Sequence, residues 1–194
     1  MGKVNKSPMK KMYNPYMKGK QVYLRHPIEE DVQGKWHEWF SDEDITKFLD
    51  ARFWPNSKEM QLAFYNSLQN DKNKLVLSIV LKSNDKHIGV ISLNNINWVH
   101  RYADIGIVIG EKEYNKGLYA TEAYALIIKI AFLRLNLLNL RAGYCKSNQN
   151  SEAILTLFKF KIAGTYKNMM QVDGRNEDVV LTYLDNQSWL KRNG

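Results

Sequence analysis

The chain has 194 residues, 44% of them apolar and 12% aromatic, which suits one packed domain, is short for two, and is too apolar for a disordered chain. Its net charge of +8 would suit a nucleic-acid binder, but Lys3, Lys6, Lys10, Lys11, Lys18, Lys20 and Arg25 all precede the first acid, Glu29, so the body beyond them is nearly neutral and a nucleic-acid partner is not expected. No run of about 18 apolar residues and no apolar signal core is present, and the single cysteine, Cys145, admits neither an internal disulfide nor a zinc cluster, so a cytoplasmic protein without membrane span or metal is expected.

Residues 1–18 are expected to form a flexible basic arm ahead of a single domain over 19–194. Residues 21–25 alternate like a short strand. Residues 29–40 predict a helix, with acids in its first turn and Val32, Trp36 and Trp39 on one face. A further short helix is predicted over 42–49, then a break at Pro55, Asn56 and Ser57, with Ser57 capping a helix to about residue 68. The run 75–81 is almost continuously apolar and predicts a strand buried on both faces. Strands follow over 87–93 and 102–109, a long helix over 118–135, a strand over 138–145 and a helix over 151–158. Residues 162–171 and 178–184 predict a closing hairpin turned at Asp173 and Gly174. The order implies a mixed α/β (α+β) domain: one sheet with helices on both faces.

The segment 105–123 is the most informative. A buried strand ends, a polar loop containing Gly117 follows, and a long helix begins. A helix start offers unpaired N–H groups and the positive end of its dipole, and can hold a pyrophosphate. Within it, Tyr119, Ala120, Thr121, Glu122 and Ala123 resemble the acyl-CoA-binding motif of the GNAT acetyltransferases, in the branch of ribosomal-protein and amino-sugar N-acetyltransferases. The resemblance extends over residues 21–184. It includes Arg25 with Glu29–Asp31, the His87-Ile88-Gly89 strand, Asn148 with Ser151 three later, Phe160, Gly164 and the Gly174-Arg175 turn.

The resemblance implies a single GNAT-like domain on a twisted, mostly antiparallel sheet, binding acetyl-CoA. It implies that Val108 and Ile109 line the pantetheine arm, that Asn115, Lys116, Gly117, Leu118, Tyr119, Ala120 and Thr121 wrap the pyrophosphate, and that Asn148 bonds the pantetheine with Ser151 nearby. The chain departs from the pattern at Asn115, at Leu118 where a loop glycine is usual, at Lys159, and at Leu155, where many members carry a tyrosine that protonates the leaving thiolate. The general acid is thereby open between water, Tyr119 and Tyr124.

The implied reaction is direct attack of an acceptor amine on the thioester. An alkylamine with a pKa of about 10.4 must first lose a proton, and a carboxylate can accept it. Asp104, just before the cofactor strand, is the expected base and His100 the alternative; Glu111 and Glu113 read as surface, and Cys145 as a buried strand residue without a base. Trp54 and Trp98, beside turns, are expected to wall the acceptor pocket. The expected acceptor is a small primary amine such as an amino sugar, a polyamine or an antibiotic. A protein N-terminus and a non-catalytic acyl-CoA-binding module are the alternatives, with a monomer or homodimer expected.

Overall fold

The computed structural model describes residues 12–115 and 117–193. Its centre is one sheet of eight strands: β1 (Met17–Lys18), β2 (Val22–Arg25), β3 (Leu75–Leu81), β4 (His87–Asn97), β5 (Tyr102–Ile109), β6 (Asn139–Cys145), β7 (Lys161–Val172) and β8 (Arg175–Asp185). They lie in the order β1-β2-β3-β4-β5-β6-β8-β7. Every neighbouring pair is antiparallel except β5 with β6. That parallel pair needs a crossover, and α5 (Leu118–Lys129), extended by a wider π-type turn over Ile130–Arg134, provides it.

The remaining helices are α1 (Glu29–Gln33), α2 (Trp36–Trp39), α3 (Glu43–Thr46), α4 (Lys58–Ser67), α6 (Gln149–Leu157) and α7 (Asn186–Asn193). Two apolar layers result. On one face α5, α6 and Trp189 of α7 pack on Leu77, Ile91, Ile105 and Leu140. On the other, Val32 of α1 and Trp36 and Trp39 of α2 pack on Val76 and Val90. Among the described residues no helix is long and apolar enough to cross a membrane.

Most predicted elements are present, with four differences. The helix expected over 29–40 is two short ones, because Gly34 leaves the helical conformation after α1. The one over 42–49 is α3, capped by the Asp42 carboxylate, followed by a 3₁₀ turn over Asp50–Phe53. Met17 and Lys18, inside the expected arm, pair with Leu24 and Tyr23, so the sheet begins there; residues 1–11 of that arm lie outside the described residues. The sequence reading also lacked α7, whose buried Trp189 meets Phe132. Ser57 caps α4 as expected, its Oγ accepting from the Met60 N–H.

A buried polar knot ties the first helix to the sheet. Arg25 on β2 donates to both oxygens of Asp31 on α1 at 2.6 and 2.7 Å, and Ser78 on β3 donates to Oδ2 at 2.8 Å. The Ile28 N–H adds a fourth bond. Burial alone would raise the Asp31 carboxyl, but the Arg25 guanidinium outweighs it and holds the group below its ordinary value. Asp31→Asn would leave the Arg25 charge buried without a counterion, and is expected to cost about 3–5 kcal/mol in urea denaturation at pH 7. The contribution of a carboxyl lowered on folding is fully present above its unfolded value of about 3.9 and is lost as pH falls through the folded value. The stability gap between wild type and variant should therefore close below about pH 4.

Candidate active site

β5 and β6 begin side by side and then separate. Tyr102, Ala103 and Asp104 pair with Asn139, Leu140 and Arg141, and the pairing stops there. Beyond that point Ile105–Ile109 are paired only with β4, and Ala142–Cys145 only with β8. A cleft of about 580 Å³ opens between them. Because side chains alternate along a strand, each wall offers two sets. Ile105, Ala142 and Tyr144 point to the side of α5, where Ala120, Tyr124, Ile154 and Leu155 close the cleft. Gly106, Val108, Gly143 and Cys145 point to the opposite side, towards Asp44, Ile45, Phe48, Leu49, Asp50, Met169 and Met170. The opening therefore reaches both faces of the sheet.

The loop between β5 and α5 is held from several directions. Gly110 carries the Trp39 indole so closely that a Cβ there would fall 1.9 Å from its ring. Glu111, read from the sequence as surface, is buried; it accepts from Trp39 Nε1 at 3.3 Å and pairs with Lys86 at 2.6 Å. The Tyr114 and Tyr119 rings meet edge to face. Gly117, at φ +80, makes the left-handed step into α5 that a side chain would resist. Glu122 in the first turns of α5 accepts from the N–H groups of Lys20 and Gln21, which fixes the helix start against the β1–β2 turn.

The expected cofactor residues divide clearly. Val108, Ile109, Asn115, Ala120, Asn148 and Ser151 all line the cleft. Gly117, Leu118, Tyr119 and Thr121 form the helix start beside it, with Leu118 exposed. Lys116 lies outside the described residues. Asn148 also caps α6, its Oδ1 accepting from the Ser151 N–H at 3.1 Å.

The expected catalytic and pocket residues are not brought into the cleft. Asp104 sits at its closed end, both oxygens held by Arg141 at 2.8 and 3.1 Å and Oδ2 also by Asn95 at 2.9 Å. His100 is exposed on the β4–β5 turn, its backbone bonded to Asn97. Trp98, on the same turn, donates to the Lys72 carbonyl at 3.0 Å. Trp54 is 74% exposed, beside a separate hollow with Phe40 and Arg52.

Other residues reach the cleft instead. Asp50 makes no hydrogen bond or ion pair among the described residues, whereas Asp44 pairs with Lys112 at 2.7 Å. Asp173 at the β7–β8 turn binds Lys47 at 2.7 Å and Arg52 at 3.5 Å, strapping the hairpin to the segment that carries Asp50. Cys145 is buried, its Sγ 3.0 Å from Met170 Sδ. Burial first, then the Glu177 and Asp50 carboxylates, push its thiol up and disfavour the nucleophilic thiolate. Of these only Tyr124 and Cys145 carried a signal in the sequence.

Three comparisons bear on this arrangement. A putative ribosomal N-acetyltransferase, YdaF of Bacillus subtilis, is 31% identical over 101 residues, which is 52% of this chain and 55% of the relative, so the match spans only about half of that protein. A spermidine N-acetyltransferase from Vibrio cholerae, solved with CoA and spermine, superposes with a TM-score of 0.79 over 88% of this chain and 98% of its own, at 22% identity. A GNAT-family acetyltransferase from Bacillus anthracis gives a TM-score of 0.74 over 88% and 98%, at 21% identity. The sequence pattern of the acetyltransferase (GNAT) domain matches residues 21–161, and on that match the chain belongs to the GNAT acetyltransferase family.

Proposed function

We propose that this N-acetyltransferase moves an acetyl group from acetyl-CoA to a primary amine of a flexible, cationic small molecule of the polyamine kind. One observation carries the reading: the opening between β5 and β6 runs from the N-terminal end of α5 on one face to the carboxylates of Asp44 and Asp50 on the other. The helix end suits an anion, since its first N–H groups are unpaired and its dipole is positive there. The opposite mouth suits a cation. The relative from Vibrio cholerae, solved with CoA and spermine, supports both halves.

Each part of the cleft then has a task. The first turn of α5, with Asn115, holds the pyrophosphate. The unpaired edges of β5 and β6 take the amides of the pantetheine arm. Asn148 and Ser151 border the same arm. Asp50 holds a protonated nitrogen of the acceptor while a second, deprotonated nitrogen attacks the thioester. Because the strap through Asp173 roofs the mouth, a thin chain fits it better than a folded protein does. The likeness to a ribosomal-type enzyme nevertheless makes a protein N-terminus the second reading.

A free-thiol assay with acetyl-CoA against spermidine, spermine, glucosamine and an N-terminal ribosomal peptide separates the readings. Polyamines are expected to exceed the others in kcat/KM by at least about tenfold, the equivalent of one good ionic contact. Turnover of the peptide alone would establish the protein acceptor, and binding of CoA without turnover of any amine would leave only a binding module.

Asp50→Asn should raise the KM for spermidine about fivefold with kcat little changed, as befits a partly exposed ionic contact of about 1 kcal/mol. Added salt should shrink that difference.

The role expected of Asp104 as base requires it to act from within its bonds to Arg141 and Asn95. We infer that Asp104 instead ties the β5–β6 junction and that the amine proton leaves through water. Asp104→Asn should then lower the melting temperature and keep kcat within about threefold. A fall of about a hundredfold or more, the scale of general-base catalysis, would return the carboxylate to the expected role.

A further inference from the structure

One hydroxyl in the cleft has no partner. Tyr124 lies one helical turn after Ala120 on α5, so both face the opening. The residue is 5% exposed, and its ring stacks on Phe158 with centroids 5.8 Å apart. Burial alone acts on its phenol, raising its pKa, and no hydrogen bond from a described residue opposes the shift. A buried hydroxyl without a partner costs about 1–3 kcal/mol, and folded proteins keep few of them.

The surrounding wall explains what the hydroxyl lacks. Ile105, Ala142, Ile154 and Leu155 offer no polar atom from their side chains. The neighbouring phenol, Tyr144, already faces Glu152 at 3.4 Å. Asn148 and Ser151 belong to the start of α6, away from this wall. Tyr124 therefore holds the one unclaimed side-chain hydroxyl on the apolar helix-side wall, among the described residues.

We propose that Tyr124 is the general acid of the transfer, its hydroxyl donating to the departing sulfur. The proposal rests on the acetyltransferase reading above. The acceptor ammonium first gives a proton to water. Its nitrogen then attacks the thioester carbonyl carbon, forming the C–N bond and an oxyanion, and loses a second proton to water. As the carbonyl re-forms, the C–S bond breaks and its electron pair goes to sulfur. The Tyr124 proton passes to that sulfur, giving the free thiol, and the phenolate recovers a proton from water as product leaves. The sum is an ammonium and a thioester becoming an amide, a thiol and one released proton. A thiolate in this apolar wall would be disfavoured, so protonation during departure lowers the barrier. The burial that raises the phenol raises the thiol as well, which keeps the two within reach of transfer.

Two variants test it with acetyl-CoA and spermidine. Tyr124→Phe keeps the ring and its stacking, removes only an unpaired oxygen, and should fold with at least wild-type thermal stability. Its kcat should fall about a hundredfold, at the lower end of general acid catalysis, with the KM for acetyl-CoA within about threefold. Incorporation of 2,3,5-trifluorotyrosine at position 124 acidifies the phenol. It should retain kcat at low pH and introduce a fall on the alkaline side where the wild type stays flat, because the donor form is lost there. A Phe variant within threefold of wild type, or a trifluorotyrosine profile that overlays the wild type, would overturn the assignment and leave the acetyltransferase reading standing. A wild type that turns over no amine would remove both.

Discussion

Everything functional in this protein follows from where two parallel strands stop pairing. β5 and β6 hold together through Asp104 and Arg141 and no further. A strand edge inside a sheet normally must find a partner, because its N–H and C=O groups are costly to leave unpaired. The two strands can separate because each keeps its ladder on the other side, β5 with β4 and β6 with β8. Their facing edges remain free for a ligand with amide groups of its own. Arg141, ion-paired to Asp104 and lying 4.0 Å over the Tyr102 ring, secures the junction from which they diverge.

The divergence also divides the chemistry between two faces. On the helix side the wall is apolar and ends at a helix N-terminus, which suits an anionic group attached to a neutral arm. On the other side two aspartates meet a hairpin bearing Met169 and Met170. The acidic Asp44 is offset by Lys112 and Asp173 by Lys47 and Arg52, so the uncompensated carboxylate of this group, among the described residues, is Asp50. A net negative mouth arises there although the chain as a whole is basic. Global charge therefore says little about the acceptor, and the local balance of pairs says more.

What could be read from the sequence was what is local along the chain. Residues 75–81 and 102–109 are apolar and β-branched enough to be strands under any packing. The helix start at 117–121 was legible because a loop and the turn it opens are one continuous segment. Asn148 and Ser151 were legible for the same reason, since a cap and the N–H it accepts are three residues apart. Asp104 and the tryptophans were misplaced because proximity in sequence does not specify which edge or face a residue occupies. Trp98 is only four residues from Tyr102, yet its indole turns away to Lys72. Asp50 could not be found at all: its place is set by the hairpin tip meeting the 3₁₀ turn, a contact between residues far apart in sequence.

An opening that pierces the sheet has a kinetic consequence as well. Thioester and amine can enter from opposite faces, so neither has to leave for the other to bind. The middle of the passage is the only place where they meet, and it is bordered by Ile105, Ile107, Ala142 and Leu155. Such a boundary offers water few hydrogen bonds, which favours attack by an amine held at the far mouth over hydrolysis by water. The same dryness makes any charge formed there expensive. A hydroxyl left unpaired in that wall is therefore in the place where a proton is most needed, and its isolation before the ligand arrives keeps that proton uncommitted.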